Sequence, residues 1–155
     1  NADMLEQGKR RLLDQGIFGS LEFVLADAEA LPFADNQFDR VIMGFGLRNV
    51  TRKDRAIKDI YRTLKPGGRF IVLEFSEPKQ EMLKTAYDFY SFNCIPKIGK
   101  WVAKDEDSYQ YLVESIRMHP NQENLKTLIQ QQGFEDVTYH NLTGGIVAIH
   151  KGFKY

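Results

Sequence analysis

A strand–helix–strand pattern joined by Pro66-Gly67-Gly68 constrains the fold of this chain more than any other feature. The continuous apolar run Val41-Ile42-Met43 predicts a strand, Phe38–Phe45, that is buried on both faces of a parallel sheet. Apolar residues then recur at helical spacing over Ala56–Leu64. Proline and two glycines end that helix and turn the chain into a second buried strand, Arg69–Phe75. Two such strands with a crossover helix predict an α/β fold.

Upstream of this unit, the sequence predicts one helix and one further strand. Apolar residues spaced among charges predict an amphipathic helix over Asp3–Asp14, and Gly16 is typical of a helix stop. The β-prone run Leu21–Leu25 predicts a short strand that leads into a polar turn.

Downstream of the unit, residues 80–119 are rich in aromatic side chains and predict a helical insertion or lid. Pro120 is expected at the first position of a helix over Glu123–Gln132, and Gly133 is expected to end it. Two last strands, Val137–Leu142 and Ile146–His150, are separated only by a Thr-Gly-Gly turn, which predicts an antiparallel hairpin at the sheet edge.

Composition excludes several classes of function. The chain has 155 residues, and 21 Lys and Arg balance 21 Asp and Glu, so no long-range attraction to nucleic acid is expected. The single cysteine, Cys94, cannot form an internal disulfide, and no Cys/His cluster has zinc-ligand spacing. No apolar run approaches the ~18 residues of a membrane span. We therefore expect one soluble, intracellular domain without a structural metal.

Ligands of open α/β sheets bind beyond the carboxyl ends of the strands, so the loops after the strands are the candidate sites. Asp27-Ala28 follows the first predicted strand, and a carboxylate there is able to accept a hydrogen bond from an adenine amino group. The alternative is a turn-forming aspartate.

The second strand-end loop is Gly44–Val50. Two glycines permit close approach of a ligand to the backbone, while Arg48 and Asn49 supply a fixed cation and an amide. The alternative is a glycine-kinked strand end with a solvated arginine. A third loop, Glu74–Pro78, is interpreted as structural.

Histidine and aromatic residues complete the candidates. His119 has an ordinary pKa near neutrality and precedes a helix, so either a role at the site or a packed, capping role is open. His140 and His150 are placed on the edge hairpin, away from chemistry. Tyr87 and Tyr90 are expected either to floor an apolar groove or to pack in the core.

Longer motifs resemble those of a known family. Asp27–Phe33, Phe38-Asp39 and Leu64–Gly68 are similar to the post-strand motifs of class I S-adenosylmethionine methyltransferases. More specific segments resemble the ubiquinone/menaquinone biosynthesis C-methyltransferase family, in order along residues 1–155: Phe45–Val50, Tyr87–Phe92, Asp107–Leu112 and Glu114–Pro120.

The resemblance implies a Rossmann-like methyltransferase sheet and C-methylation of a polyprenyl benzoquinol or demethylmenaquinol with S-adenosyl-L-methionine. It implies that Asp27 and Ala28 face the adenine and that Gly44 lines the cofactor by its backbone, although relatives often have serine at that position. By the same resemblance, Arg48 and Asn49 are the catalytic candidates. The substrate-binding candidates are Tyr87, Tyr90 and His119.

The resemblance also implies that the chain is a C-terminal portion of such a protein. The family's glycine-rich cofactor loop would then precede Asn1, and we expect the isolated chain to be inactive. A homodimer, segment-swapped in this form, is expected, as is a cytoplasmic location with peripheral contact to the inner membrane, or the mitochondrial matrix side in a eukaryote. The alternatives are a small-molecule methyltransferase of other specificity and a non-catalytic binding module.

Overall fold

The structure is a computed structural model that describes residues 2–16, 21–78 and 106–155. Its helices and strands, in chain order, are α1 (Ala2–Asp14), β1 (Phe38–Gly44), α2 (Lys53–Thr63), β2 (Leu64–Phe75), α3 (Glu106–Met118), α4 (Gln122–Gln131), β3 (Glu135–Leu142) and β4 (Val147–Phe153). The described strands form a sheet in the order β1-β2-β4-β3. Within these ranges, every helix is too short or too polar to span a bilayer. The α/β class is confirmed.

The strand–helix–strand unit has the predicted architecture. β1 pairs with β2 in parallel, with Val41 opposite Phe70. Between them, α2 buries Ile57 and Ile60 in the same core cluster as Phe70. The helix period and the apolar strands of the sequence therefore converge on one core, on one face of the sheet.

The turn between α2 and β2 differs in detail from the prediction, because β2 begins at Leu64 rather than Arg69. Gly67 has the predicted left-handed backbone, with a φ of 80°. Gly68 is required for another reason, since a Cβ there would lie 2.7 Å from the carbonyl oxygen of Lys65. The left-handed backbone therefore explains Gly67, and the lack of space for a Cβ explains Gly68.

The prediction that β1 is buried on both faces is wrong for the described structure. Val41 and Met43 pack against the core, but Ile42, which points to the opposite face, is 70% exposed. β1 lies at the edge of the described sheet, so fewer groups surround it. An apolar run cannot by itself show which faces of a strand are covered.

The predicted strand at Leu21–Leu25 is also wrong. Residues 21–26 have irregular structure, and Leu21 and Leu25 are both exposed. A strand is stabilised by hydrogen bonds to its neighbour, and no described segment forms a sheet with these residues. Their β propensity is therefore not expressed. The helix predicted at Asp3–Asp14 is confirmed as α1.

The start of α4 corrects a second expectation. The helix begins at Gln122, and the side chain of Asn121 caps it by accepting a hydrogen bond of 3.0 Å from the backbone N–H of Asn124. Pro120 therefore precedes the cap and is not the first helical residue. Gly133, with a φ of 99°, follows the helix as predicted.

The C-terminal hairpin is confirmed, but only one of its strands lies at the edge. β3 pairs with β4 in an antiparallel register, and β4 lies between β3 and β2. This arrangement places His150 of β4 opposite Val72 of β2. His150 is therefore 1% exposed, contrary to its expected position on an edge hairpin.

Candidate functional site

The loop after β1, here called the β1 loop (Phe45–Val50), turns sharply at the carboxyl end of the strand. The backbone N–H of Phe45 donates to the carbonyl oxygen of Leu73 in β2 at 2.8 Å. Its φ of 51° is left-handed, which costs an L-residue on the order of 1–3 kcal/mol. A 3₁₀ turn follows at Leu47–Asn49, and Leu47 is fully buried. β2 and the core therefore anchor the loop.

Side-chain contacts help to offset the unfavourable backbone of Phe45. The centroid of its ring lies 4.9 Å from that of Phe75, and aromatic pairs of this kind contribute about 0.5–1.5 kcal/mol beyond burial. The carbonyl oxygen of Phe45 accepts a short hydrogen bond from Nη1 of Arg48. The loop conformation and the position of Arg48 thus depend on each other.

Arg48 is paired with a buried carboxylate, so the alternative of a solvated arginine is wrong. Its backbone N–H donates to Oε2 of Glu74 at 3.1 Å, and its Nη1 donates to Oε1 at 3.2 Å. The side chains of Arg48 and Glu74 are 12% and 1% exposed. The backbone N–H of Phe75 adds a hydrogen bond of 2.9 Å to Oε1. Glu74 therefore holds both the backbone and the tip of Arg48.

Sequence reasoning missed Glu74, because it assigned this residue to a structural loop. A signal was present, since Glu74 follows an apolar run and falls on the same face of the strand as the buried residues Phe70 and Val72. A carboxylate on the core face of a strand needs a partner. That partner, Arg48, is 26 residues away in the chain, so only the fold reveals the pair.

One edge of the Arg48 guanidinium remains without a partner. Its Nε is buried and forms no hydrogen bond with the described residues. A buried donor of this kind costs about 1–3 kcal/mol if nothing else satisfies it. Because a guanidinium can only donate, the free Nε–H is suited to an oxygen that carries negative charge.

Asn49 is held from the other side by α3. The hydroxyl of Tyr111 donates to its Oδ1 at 3.2 Å, and both residues are exposed. This bond uses the amide oxygen of Asn49, so its NH₂ group is the part that points to other partners. The sequence places Tyr111 among the aromatic residues of 80–119 and within the family-like segment Asp107–Leu112, but it does not predict the contact with Asn49, which lies 62 residues away in the chain.

His119 is buried immediately after α3, with 7% of its surface exposed. Neither ring nitrogen has a hydrogen-bond partner among the described residues. Burial first, and then the charges of Lys53, His150 and Arg48, lower the pKa of His119 to about 4. The imidazole is therefore neutral at neutral pH, with one donor and one acceptor both unsatisfied.

A second buried histidine, His150, forms a hydrogen bond with the start of α4. Nε2 of His150 lies 2.9 Å from the carbonyl oxygen of Gln122, a geometry that requires Nε2 to carry the proton. The amide of Gln122 donates to the carbonyl of Glu77 at 2.8 Å and to Oδ1 of Asn141 at 3.1 Å. Burial lowers the pKa of His150. Together these bonds fasten the start of α4 to the ends of β2 and β3.

Asp27 and Ala28 lie in a closed turn before β1. Oδ1 of Asp27 accepts a hydrogen bond of 2.9 Å from the backbone N–H of Glu29, and Asp27 pairs with Ala30 in an isolated bridge. Glu29 accepts a hydrogen bond of 2.8 Å from the backbone N–H of Arg52. The turn-forming role of Asp27 is thus present, and Glu29 links the turn to the chain just after the β1 loop.

The last described candidate, Gly44, ends β1 beside open space. A Cβ placed on it would meet no atom within 4 Å, and the residue is exposed. This backbone is therefore accessible to a ligand. The remaining candidates, Tyr87 and Tyr90, fall outside the described residues, as does most of the predicted insertion.

Comparison with known proteins gives these observations a context. The sequence profile of the ubiE/COQ5 methyltransferase family matches residues 1–154. The chain is 58% identical over 155 residues to the ubiquinone/menaquinone biosynthesis C-methyltransferase UbiE of Pseudoalteromonas translucida, and 61% identical to that of Legionella pneumophila strain Corby. It is fully covered in both comparisons and spans 62% of the length of each relative.

The fold is similar to that of a SAM-dependent methyltransferase from Thermotoga maritima, with a TM-score of 0.61 at 23% identity. The similarity covers 86% of this chain and 64% of the other. It confirms the predicted Rossmann-like methyltransferase fold.

Proposed function

Because the chain belongs to the ubiE/COQ5 methyltransferase family, we propose that it contributes the substrate side of an S-adenosylmethionine-dependent C-methyltransferase. The substrate is a polyprenyl benzoquinol, a demethylmenaquinol or both. One observation carries this proposal: the loop at the carboxyl end of β1 holds a buried arginine whose Nε has no described partner, and the charge of that arginine contributes to keeping a buried, unpartnered histidine neutral.

The residues of the chain stabilise the reacting ring rather than activate the donor. S-adenosylmethionine supplies an electrophilic methyl group when bound. A quinol ring carbon becomes more nucleophilic as the neighbouring hydroxyl loses its proton to water, so a cation beside the resulting oxyanion lowers the barrier. After the methyl group is transferred and S-adenosylhomocysteine leaves, the ring carbon loses its proton to water and the oxygen is reprotonated. Arg48 provides the cation, and Asn49, held by Tyr111, orients the ring oxygen or a water through its NH₂ group.

His119 is assigned to substrate binding. A neutral imidazole offers one donor and one acceptor, which matches a ring hydroxyl, itself a donor and an acceptor. Contact with such a hydroxyl would satisfy a ring nitrogen that otherwise remains unpaired in a buried position. Tyr87 and Tyr90 are proposed to contact the polyprenyl tail.

Asp27, Ala28 and Gly44 are assigned to the cofactor. The accessible backbone of Gly44 fits this assignment, as does Asp27, which is exposed and uses Oδ1 within its turn. A carboxylate oxygen has more than one acceptor site, so the turn leaves Asp27 able to accept from an adenine amino group. The segment-swapped homodimer and the peripheral membrane contact stay predictions.

The proposal is tested with the full-length product of the gene that encodes this chain. It is incubated with methyl-labelled S-adenosylmethionine and with either a demethylmenaquinol or an unmethylated polyprenyl benzoquinol, and the products are identified by mass spectrometry. We expect the label on a ring carbon of at least one quinol. Cofactor binding without transfer to either quinol would favour another small-molecule specificity, and the absence of both would favour a binding module.

A further inference from the structure

We infer that Glu74 is the positioning residue of the reaction, which orients Arg48 so that its Nε–H faces the developing oxyanion. This inference rests on the proposed function. It concerns a residue that acts through another, since the Glu74 side chain is 1% exposed and its carboxylate accepts hydrogen bonds from Arg48 and from the backbone of Phe75.

The hydrogen bonds of the Glu74 carboxylate fix the orientation of the Arg48 side chain. One carboxylate oxygen binds the backbone N–H of Arg48 at 3.1 Å, and the other binds Nη1 at 3.2 Å. The backbone N–H of Phe75 fixes the second oxygen in turn, at 2.9 Å. A side chain held at its backbone and at its tip has little remaining freedom, so the direction of its Nε–H is fixed as well.

Nη1 has a second acceptor that strengthens this geometry. It also donates to the carbonyl oxygen of Phe45, the residue with left-handed φ at the start of the β1 loop. The described bonds of the guanidinium thus converge on Nη1, and Nε is left without a described partner. The pair therefore fixes the guanidinium through Nη1 and presents the buried Nε–H without a described partner.

Stability alone does not explain a buried charge at position 74. Apolar residues of similar volume often replace a buried ion pair without loss of stability, and the neighbours on this face of β2 are Phe70 and Val72. A paired arginine has a different advantage at a site for a neutral quinol. The pair is neutral overall when the substrate binds, yet a donor is already oriented when charge develops on the oxygen.

The test compares steady-state kinetics of the full-length protein with those of Glu74→Gln, which keeps the shape but removes the charge and one acceptor. We expect kcat to fall about tenfold to a hundredfold, the range seen when a supporting partner of a functional group is lost. KM for the quinol should change less than about threefold, since the ring contacts remain. Asp54→Asn, which breaks the exposed Arg52–Asp54 pair, is the matched control and should behave as the unmodified protein.

A readout without catalysis separates this inference from the proposed function. In ¹⁵N-labelled protein, the Arg48 Nε–H resonance should shift and exchange faster with solvent in Glu74→Gln, but remain unchanged in Asp54→Asn. The NMR measurement remains informative even if neither quinol is methylated. Failure to methylate either quinol would overturn the proposed function but not the role of Glu74 in orienting Arg48. An unshifted resonance, or an unchanged kcat in Glu74→Gln while Arg48→Lys loses activity, would overturn the role of Glu74.

Should Glu74→Gln be too unstable to assay, Glu74→Asp replaces it. That variant keeps the charge, but its side chain is shorter by one methylene group. The carboxylate therefore cannot make both contacts to Arg48 at once. The same fall in kcat and the same NMR change are expected, and wild-type values for both would contradict the inference.

Discussion

Two segments beside α2, residues 27–33 and the β1 loop, satisfy their polar groups in opposite ways. In the 27–33 segment, Arg62 of α2 donates to the carbonyl oxygens of Leu31 and Phe33 at 3.1 and 2.7 Å, and its side chain is 34% exposed. In the β1 loop, Arg48 is almost completely buried and has a carboxylate partner, yet its Nε has no partner among the described residues. Both buried ring nitrogens of His119 likewise lack a described partner.

This difference distinguishes an arginine whose bonds all lie within the chain from one that we propose binds a ligand. The bonds of Arg62 close a surface turn and involve only groups of the chain. The bonds of Arg48 fix its position but leave a buried donor unsatisfied, and folded proteins rarely retain such a donor without a function. The comparison therefore predicts that equivalent changes in the two segments have different consequences.

The largest expected difference is in stability. Arg48→Ala leaves Glu74 as a buried, unpaired charge, and we expect it to lower the free energy of unfolding by about 3 kcal/mol or more. Arg62→Ala removes partly exposed, solvent-screened bonds and should lower the free energy of unfolding much less. Urea unfolding of both variants measures the loss in the free energy of unfolding. The double variant Arg48→Met/Glu74→Leu should recover most of the loss, and equal losses in the two single variants would break the comparison.

The second difference is the pH range in which two groups, His119 and Asp59, stop stabilising the folded protein. His119 has a pKa of about 4 in the folded protein and about 6.5 when unfolded. The unfolded chain therefore binds more protons below pH 6.5, and stability should fall by about 3 kcal/mol as the pH drops from 6.5 to 4. Hydrogen bonds from Arg62 lower the pKa of Asp59, so the contribution of Asp59 is lost only below about pH 3.8.

Urea unfolding at a series of pH values, with His119→Gln as the comparison, tests this expectation. The variant should lose most of the slope between pH 6.5 and 4, while the part due to His150, whose pKa burial also lowers, should remain. A variant slope equal to that of the unmodified protein would contradict the assignment.

The third difference concerns the rate of methyl transfer. Arg48→Lys keeps a charge for Glu74 but removes the Nε donor and the planar guanidinium. We expect kcat to fall about a hundredfold, equivalent to about 2.7 kcal/mol, as for the loss of one oxyanion donor. Arg62→Lys should stay within about threefold of the unmodified enzyme. Initial rates at saturating quinol provide the measurement, and similar rates in both variants would remove the distinction between the two arginines.

The smallest expected effect is on cofactor binding at Gly44. A serine fits there because the space in front of Gly44 is open, and its hydroxyl can add one hydrogen bond, about 1 kcal/mol or fivefold in Kd for S-adenosylmethionine. Gly44→Ala supplies the Cβ without the hydroxyl and is the control. Calorimetry on the full-length protein distinguishes them, and identical Kd values for the two variants would argue against a ligand hydroxyl contact at this position.

Local patterns predicted much of the fold. The period of α2 and the Pro-Gly-Gly turn into β2 depend on residues close together in sequence, and Gly144 and Gly145 likewise specify the hairpin connection. The errors concern neighbours. Leu21–Leu25 has no described strand beside it, and Ile42 has no cover on its face. The β propensity of a residue does not show whether a neighbouring strand or a covering group is present.

The site shows the same limit. Arg48 and Asn49 could be selected from the sequence because they follow a strand and lie within a family motif. Glu74, Tyr111 and the burial of His150 could not, because each depends on a contact between residues that are far apart in the chain. The residues proposed to act on a ligand could thus be selected from the sequence, whereas the groups that hold them in place required the fold.

The central claim is that the unpaired groups beside the β1 loop face the quinol. A ¹⁵N NMR titration of the full-length protein with a demethylmenaquinol that carries a single prenyl unit tests it most directly. The account predicts shifts in the Arg48 Nε–H and the His119 ring nitrogens, with the backbone amides of residues 27–33 unchanged. Shifts confined to residues 27–33, or saturation of binding with no change at Arg48 and His119, would contradict it.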